Sequence, residues 1–471
     1  MSGAAVVVVG AGPVGLTAAL LLARRGLPVL VLERHRQPYA EPRAVHLDDE
    51  ALRALSDAGV VEDFLRISRP ALGLRLLDAR SAVLAEFGRD PGAGLHGWPQ
   101  ASMFHQPDLE DLLRAAVEAQ PLVRVERGAE VTGLEQHGHT VTVHLADRSV
   151  TTSAVLGCDG ANSTVRRLIG SRMRDLGRPA RWLVADLRAA DPLPVWPGVH
   201  QVCDPRRAAT FMPVAGDRYR VEGRLASGEG AADLPLAGLL ASFGADRAEL
   251  VRVAEYVYRA QVADRWRDGR VLLAGDAAHL TPPFIGQGLG LGLRDVHQAA
   301  WKLAAVVSGE ADETLLDTHQ AERAPHARAL VRLAVLVGAL MTGGGRSAAA
   351  VRRAVLAGID RIPAVAAFAT DSRTPPLHAG PLVERSGRAG RRLAGTLLPR
   401  ATVVVAGRTC PVDEVLGAGT ATLTRAPGGG LAVHAGGRRT RLEDVGGVLT
   451  THLGVARSVV VRPDRIIRSA S

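Results

Sequence analysis

Residues 6–15 read VVVVGAGPVG, four β-branched residues followed by glycines at 10, 12 and 15. The valines suit a buried strand, the following LTAALLLARRG (16–26) suits a helix, and VLVLE (29–33) suits the next parallel strand, so the first 33 residues read as one βαβ unit. In such a unit Gly10 permits the turn, Gly12 lets a pyrophosphate approach the backbone, and Gly15 lets helix and strand pack closely. Ala11, Pro13 and Val14 complete the turn, and the phosphate would rest on unpaired amides at the helix start. Glu33 follows Gly15 by 18 residues, where a carboxylate accepts hydrogen bonds from a ribose hydroxyl. A dinucleotide is expected, and FAD and NAD both fit.

The rest of the composition narrows the class. With 471 residues, 47% apolar and 22% charged, the chain is globular and long enough for two or three domains. From Met1 to Ala23 no side chain is charged, yet the glycines and Pro13 break the run and no basic leader precedes it, so neither a membrane span nor a signal peptide is expected. The net charge is +9, but the basic residues are scattered arginines with a single lysine, Lys302. No GxxxxGK[ST] loop exists and no basic run interleaves with aromatics, so neither P-loop chemistry nor nucleic-acid binding is expected. The cysteines, Cys158, Cys203 and Cys410, form no CxxC, and the histidines form no HExxH, so no disulfide framework and no metal are expected, consistent with a cytoplasmic protein.

Two distant segments, AVLGCDGANSTVRRLIG (154–170) and GRVLLAGDAAHLTPPFIGQGLGLGLRD (269–295), carry further signals. VLLAGD reads as a buried strand whose carboxyl end presents Asp276 to the ligand crevice of a parallel sheet. With GAGPVG, PRAVHLDDEAL and FHQPDLEDLLR, these segments resemble the group A FAD-dependent aromatic monooxygenases of the para-hydroxybenzoate hydroxylase fold. Within them the chain is most similar to the 3-(3-hydroxyphenyl)propionate hydroxylases and the actinobacterial polyketide hydroxylases. The resemblance covers roughly residues 1 to 340 and implies an α/β fold. It places a Rossmann-like FAD-binding domain at 1–72, 100–170 and 265–345, interleaved with a β-sheet substrate domain at 73–99 and 171–264.

The resemblance also implies roles. Asp276 would hold the ribityl chain, and Pro283, Gly286, Gly288, Leu289 and Gly290 would face the flavin ring from the start of a helix. Arg43 and Gln106 would approach the phosphates and ribityl, Glu33 and Arg34 the adenosine ribose, and Val131 the adenine. Asp159 and Arg166 would serve FAD and the visiting nicotinamide nucleotide. The family has Asn where this chain has Gly290. The implied reaction uses resident FAD, NADPH or NADH as transient reductant, and O2, hydroxylating a phenolic or polyketide ring through a flavin C4a-hydroperoxide. No second nucleotide fingerprint follows another strand, which fits a reductant that visits and leaves.

For the substrate side, aromatic residues concentrate between the two distant motifs. Phe211, Met212, Tyr256 and Tyr258 are candidate substrate contacts, with Tyr219 and His46 as candidate catalytic residues; ordinary packing is the competing role for each. Residues 346–395 read as a helix and a polar linker, and 396–471 resemble a thioredoxin-like C-terminal domain, without the CxxC of a redox centre. A monomer or homodimer acting on a small aromatic substrate is expected. Baeyer-Villiger or epoxidising chemistry on a polyketide is the enzyme alternative, and a non-catalytic flavin-fold binding protein is the other.

Overall fold

The computed structural model describes residues 4–38, 43–92, 94–343, 354, 374–426 and 430–471. The helix expected before residue 370 falls almost wholly outside them.

Val6–Val9 is fully flanked, pairing in parallel with Val29–Glu33 on one side and Ala154–Gly157 on the other. Val123–Arg127 and Val271–Leu273 extend the sheet outward in parallel, and Arg267–Asp268 closes one edge antiparallel. Strands buried on both faces need apolar residues at every position, which is why the sequence reads VVVV and VLVL without alternation. The chain leaves Val6–Val9 for one neighbour and returns later to the other, so the crevice opens at Gly10, the carboxyl end of that central strand. The helices Pro13–Ala23, Asp49–Ala58 and Gly288–Val307 cover one face, sharing a core that includes Leu16, Leu20, Leu52, Leu55, Val296 and Leu303.

A second, seven-stranded sheet draws on two separate stretches. Its order is Glu249–Tyr258, Ala180–Arg188, Arg218–Arg224, Ala209–Pro213, Val199–Val202, Gly73–Leu77, Val83–Gly88. The central strands Ala209–Pro213 and Arg218–Arg224 are buried on both faces, and each face meets something different. One face packs on the short helix Leu236–Ser242 through Leu183, Leu187, Phe211, Tyr219 and Val221. The other turns toward the first sheet. The helix Asp317–Thr342 closes the space between the sheets, and its long apolar run supplies that wall.

The C-terminal unit differs from expectation. Seven strands between Thr402 and Ala470 form one sheet, and every pair in it is antiparallel. A thioredoxin-like unit would carry parallel neighbours joined by helical crossovers, whereas hairpin connections such as Arg425 to Leu431 give antiparallel ones. The thioredoxin-like expectation is therefore replaced by an antiparallel sheet with two short helices, Val412–Leu416 and Val448–Leu453. Cys410 is buried in its core as a free thiol.

Candidate functional site

A cavity of about 860 Å³ lies between the two sheets and is lined by residues from both. Gly12 and Asp276, 264 positions apart, are on its wall together. Two helix starts face it, at Pro13 and Gly288, and neither N-cap makes a side-chain hydrogen bond. Uncapped amides and the positive helix end attract negative charge. A methyl group added at Gly12 or at Gly288 would meet no atom within 4 Å, so both turns front open space.

Acceptors line the stretch between these helix ends. Asp276 is open to the cavity and takes no hydrogen bond among the described residues. Burial pushes its carboxyl up, opposed by His279 and Arg43. Its place is set from behind by buried Asp295, which accepts from the Gly275 amide at 3.0 Å, from His279 at 2.7 Å and from Arg323 at 2.8 Å. Burial works against the Asp295 charge, but His279 and Arg323 hold it well below the usual carboxylate range. Thr281 adds, on the same wall, a buried hydroxyl without a partner among the described residues. Free hydroxyl and carboxylate groups between two anion-attracting helix starts fit FAD, whose ribityl hydroxyls lie between a pyrophosphate and a ring that becomes anionic on reduction. The residues fit the group.

Of the residues named from sequence, Gly12, Pro13, Val14, Arg43, Gln106, Asp276, Pro283, Gly286, Gly288 and Leu289 are on this wall. Gln106 holds the Arg43 segment in place, its Oε1 accepting from the Arg43 and Ala44 amides at 3.2 and 2.6 Å. Glu33 braces the glycine turn instead of standing free: its carboxylate accepts from Ala11 at 2.9 Å and His35 at 2.8 Å. Exposed Arg34 and buried Val131 lie beyond the cavity wall. Asp159 and Arg166 are not brought to the wall. Asp159 caps the helix Thr164–Leu168, accepting from Thr164 and Val165 at 2.6 and 3.0 Å, and Arg166 donates to the Ala277 and Ala161 carbonyls. Gly290 lies one turn into its helix, and an added Cβ would sit 2.9 Å from Arg294 Nη1. Arg294, paired with Asp48 at 2.6 Å, would have to shift its guanidinium for a side chain at that position.

The substrate-side candidates divide by strand parity. On the strands Ala180–Arg188, Ala209–Pro213 and Arg218–Arg224 the cavity-lining residues Trp182, Val184, Thr210, Met212, Arg220 and Glu222 are all at even positions, and Tyr256 and Tyr258 join them from Glu249–Tyr258. Phe211 and Tyr219 are at odd positions and face away. Phe211 stacks on Tyr219 and Phe243 at 5.9 and 5.1 Å, and the Tyr219 oxygen accepts from the Leu193 amide. Tyr219 as catalytic residue and Phe211 as substrate contact are thus corrected: successive side chains on a strand point to opposite faces, and these two point into the core. His46 does reach the wall, with Nδ1 3.2 Å from the Gly286 carbonyl, and burial with nearby Arg89 lowers its pKa to about 4. Trp182, Arg220 and Glu222 also line the cavity and belong to no sequence motif. The period-two pattern through Met212 could have found Arg220 and Glu222 from the strand register.

Residues 3–334 match the family model described as the FAD binding domain. A probable NADH-specific resorcinol 4-hydroxylase of Rhodococcus jostii (strain RHA1) is 34% identical over 453 residues, covering 94% of this chain and 83% of that protein. A 3-(3-hydroxy-phenyl)propionate/3-hydroxycinnamic acid hydroxylase of Mycobacterium sp. (strain KMS) is 36% identical, covering 89% and 74%. The chain belongs to the FAD-dependent aromatic hydroxylases. Among solved structures, CabE, an aromatic hydroxylase from angucycline biosynthesis, superposes with this flavoprotein at a TM-score of 0.74 and 27% identity, with 100% and 96% of the two chains covered. Aklavinone-11 hydroxylase, solved with FAD and aklavinone, shares the fold at a TM-score of 0.78 and 24% identity, covering 99% and 95%. Lys302, fully buried, donates to Glu322 at 2.9 Å and is not among the residues that line the cavity.

Proposed function

We propose that this chain uses FAD, NADH or NADPH, and O2 to hydroxylate a phenolic ring. The observation that supports it best is that the Gly12 turn, the Asp276 strand end and the polar face of the second sheet share one cavity. The Gly12 turn and the Pro13 helix start would hold the pyrophosphate, Asp276 the ribityl hydroxyls, and the Gly288 helix start the ring edge. FAD, once bound, supplies the electrons taken from the nicotinamide and activates dioxygen.

The chain's own residues orient the substrate and exclude water. Leu330, Leu333, Val337 and Met341, on one helix face, form an apolar wall opposite the sheet. Met212, Tyr256 and Tyr258 are the sheet's proposed substrate contacts. Near neutral pH His46 is uncharged, and with Nδ1–H donating to Gly286 its Nε2 is left as a hydrogen-bond acceptor for a ligand. The enzyme is proposed to act in the cytoplasm as a monomer or homodimer.

The test is oxygen-dependent NADH and NADPH consumption by the purified yellow protein against resorcinol, 3-(3-hydroxyphenyl)propionate and fused polyphenols, with mass spectrometry of products. Substrate-stimulated oxidation and a gain of one oxygen atom are expected. A colourless protein, or oxidation that no phenol stimulates, would overturn the reading.

A further inference from the structure

Glu222 is the one acidic side chain on the cavity face of the second sheet whose charge no arginine hydrogen-bonds among the described residues. Asp186, one strand over, is held by Arg220 at 2.8 Å and Arg252 at 3.2 Å. Among the described residues Glu222 has only the Tyr258 hydroxyl, donating to Oε2 at 3.4 Å, so Oε1 accepts nothing from them although the residue is buried on the cavity wall.

The strand register sets its surroundings. Glu222 pairs across with Thr210 on one side and Val184 on the other, and Thr210 lies opposite Gln201. Thr210 donates its hydroxyl hydrogen to Gln201 Oε1 at 2.9 Å, and the Gln201 amide donates to the Val202 and Ala209 carbonyls, both at 3.1 Å. This row therefore offers the cavity acceptors and no free donor. A buried carboxyl flanked by acceptors requires a donor from the ligand. A phenolic O–H meets that need, and a carboxylate or a methyl ether does not.

Resting on the hydroxylase reading above, we propose that Glu222 is the catalytic base for the substrate's phenolic hydroxyl. The phenolic O–H bond breaks, the proton joins Glu222 Oε1, and the bonding pair stays on oxygen and spreads into the ring. No oxidant or reductant enters this step. Burial pushes the Glu222 carboxyl up, with Arg220 opposing and Asp186 adding to the rise, which brings it closer to the phenol range of about 10. The other charged or titratable groups on the cavity wall are Tyr256, Tyr258 and Arg259 from the edge strand and its end, and Arg43, His46, Arg89, Cys158 and Asp276 across the cavity, with Arg224 on its own strand and Arg252 beside Asp186. The long helix contributes only apolar side chains to the wall.

The deciding experiment compares wild type, Glu222→Gln and Tyr219→Phe as FAD-loaded proteins, with an ordinary phenol that wild type hydroxylates and with a polyfluorinated phenol already ionised at neutral pH. Glu222→Gln should keep its flavin and lose roughly 100-fold in kcat on the ordinary phenol, with most of that loss recovered on the pre-ionised one. Tyr219→Phe, whose ring lies outside the cavity, should match wild type on both. An unchanged kcat, or an equal loss on both phenols, overturns the proposal. If Glu222→Gln sheds its flavin, Glu222→Asp, which withdraws the carboxylate by one methylene, is judged by the same two outcomes. A wild type that hydroxylates no phenol removes the parent reading and this one with it; an active wild type beside an equally active Gln variant removes only the role of Glu222.

Discussion

Gly12 and Gly15 lie three positions apart and are needed for opposite reasons. A Cβ at Gly15 would lie 2.0 Å from the Gly10 carbonyl oxygen, a clash inside the protein, whereas one at Gly12 projects into open space. Gly15→Ala should therefore destabilise the fold by about 3 kcal/mol, measured by denaturant unfolding of the apoprotein. Gly12→Ala should leave that stability nearly unchanged and weaken FAD binding by at least about tenfold. If both variants lost stability equally, the division between fold and cofactor would fail. Asp276→Ala should likewise shed flavin, seen as loss of yellow colour on purification, while Tyr219→Phe keeps it. At this scale the glycine roles were legible because they depend on backbone contacts within one turn. Glu222 was not, since a single Glu in a strand carries no local mark of which face it joins.

An element adds periodicity and end effects. The helix Asp49–Ala58 starts with three acidic residues in a row. Asp48 caps it, accepting from Ala51 at 2.8 Å, and Glu50 reaches Arg294, but Asp49 is buried beside both. Burial, reinforced by Asp48 and Glu50, raises the Asp49 pKa to about 8. Between its unfolded value near 3.8 and its folded value of about 8 the native state binds more protons than the unfolded chain. This group's contribution to stability therefore falls as pH rises through that window. Asp49→Asn should flatten the decline and add roughly 1 to 3 kcal/mol near pH 8, read from melting temperature against pH; a parallel curve would refute the assignment. Strand alternation decides more of the site than any helix. Tyr219 and Arg220 are neighbours in sequence on opposite faces, so choosing aromatics by type alone selected one residue for the core and missed the next one on the cavity.

In the whole molecule the C-terminal unit is tied to the cofactor-binding unit through buried charges. Arg462 donates to Glu322 at 2.8 Å and to Asp464 at 2.6 Å, while Lys302 donates to the other Glu322 oxygen. Arg53 reaches Asp413 and the Leu398 carbonyl from the opposite side of the boundary. Arg462→Met leaves two buried carboxylates short of a partner, so it should cost about 3 to 5 kcal/mol, observed as a lower melting temperature with flavin content intact in the cold. Loss of flavin without loss of stability would contradict a purely structural tie. The sequence by itself determined the parallel sheet, the glycine turn and Asp276 at a strand end, because those follow from runs and spacings only a few residues long. Only the tertiary structure decided that Gly12 and Asp276 share a wall, that Glu222 rather than Tyr219 faces it, and that the C-terminal sheet is antiparallel. Each of those depends on which distant strands pair and in what register, and that is set by burial across the whole chain rather than by any local pattern.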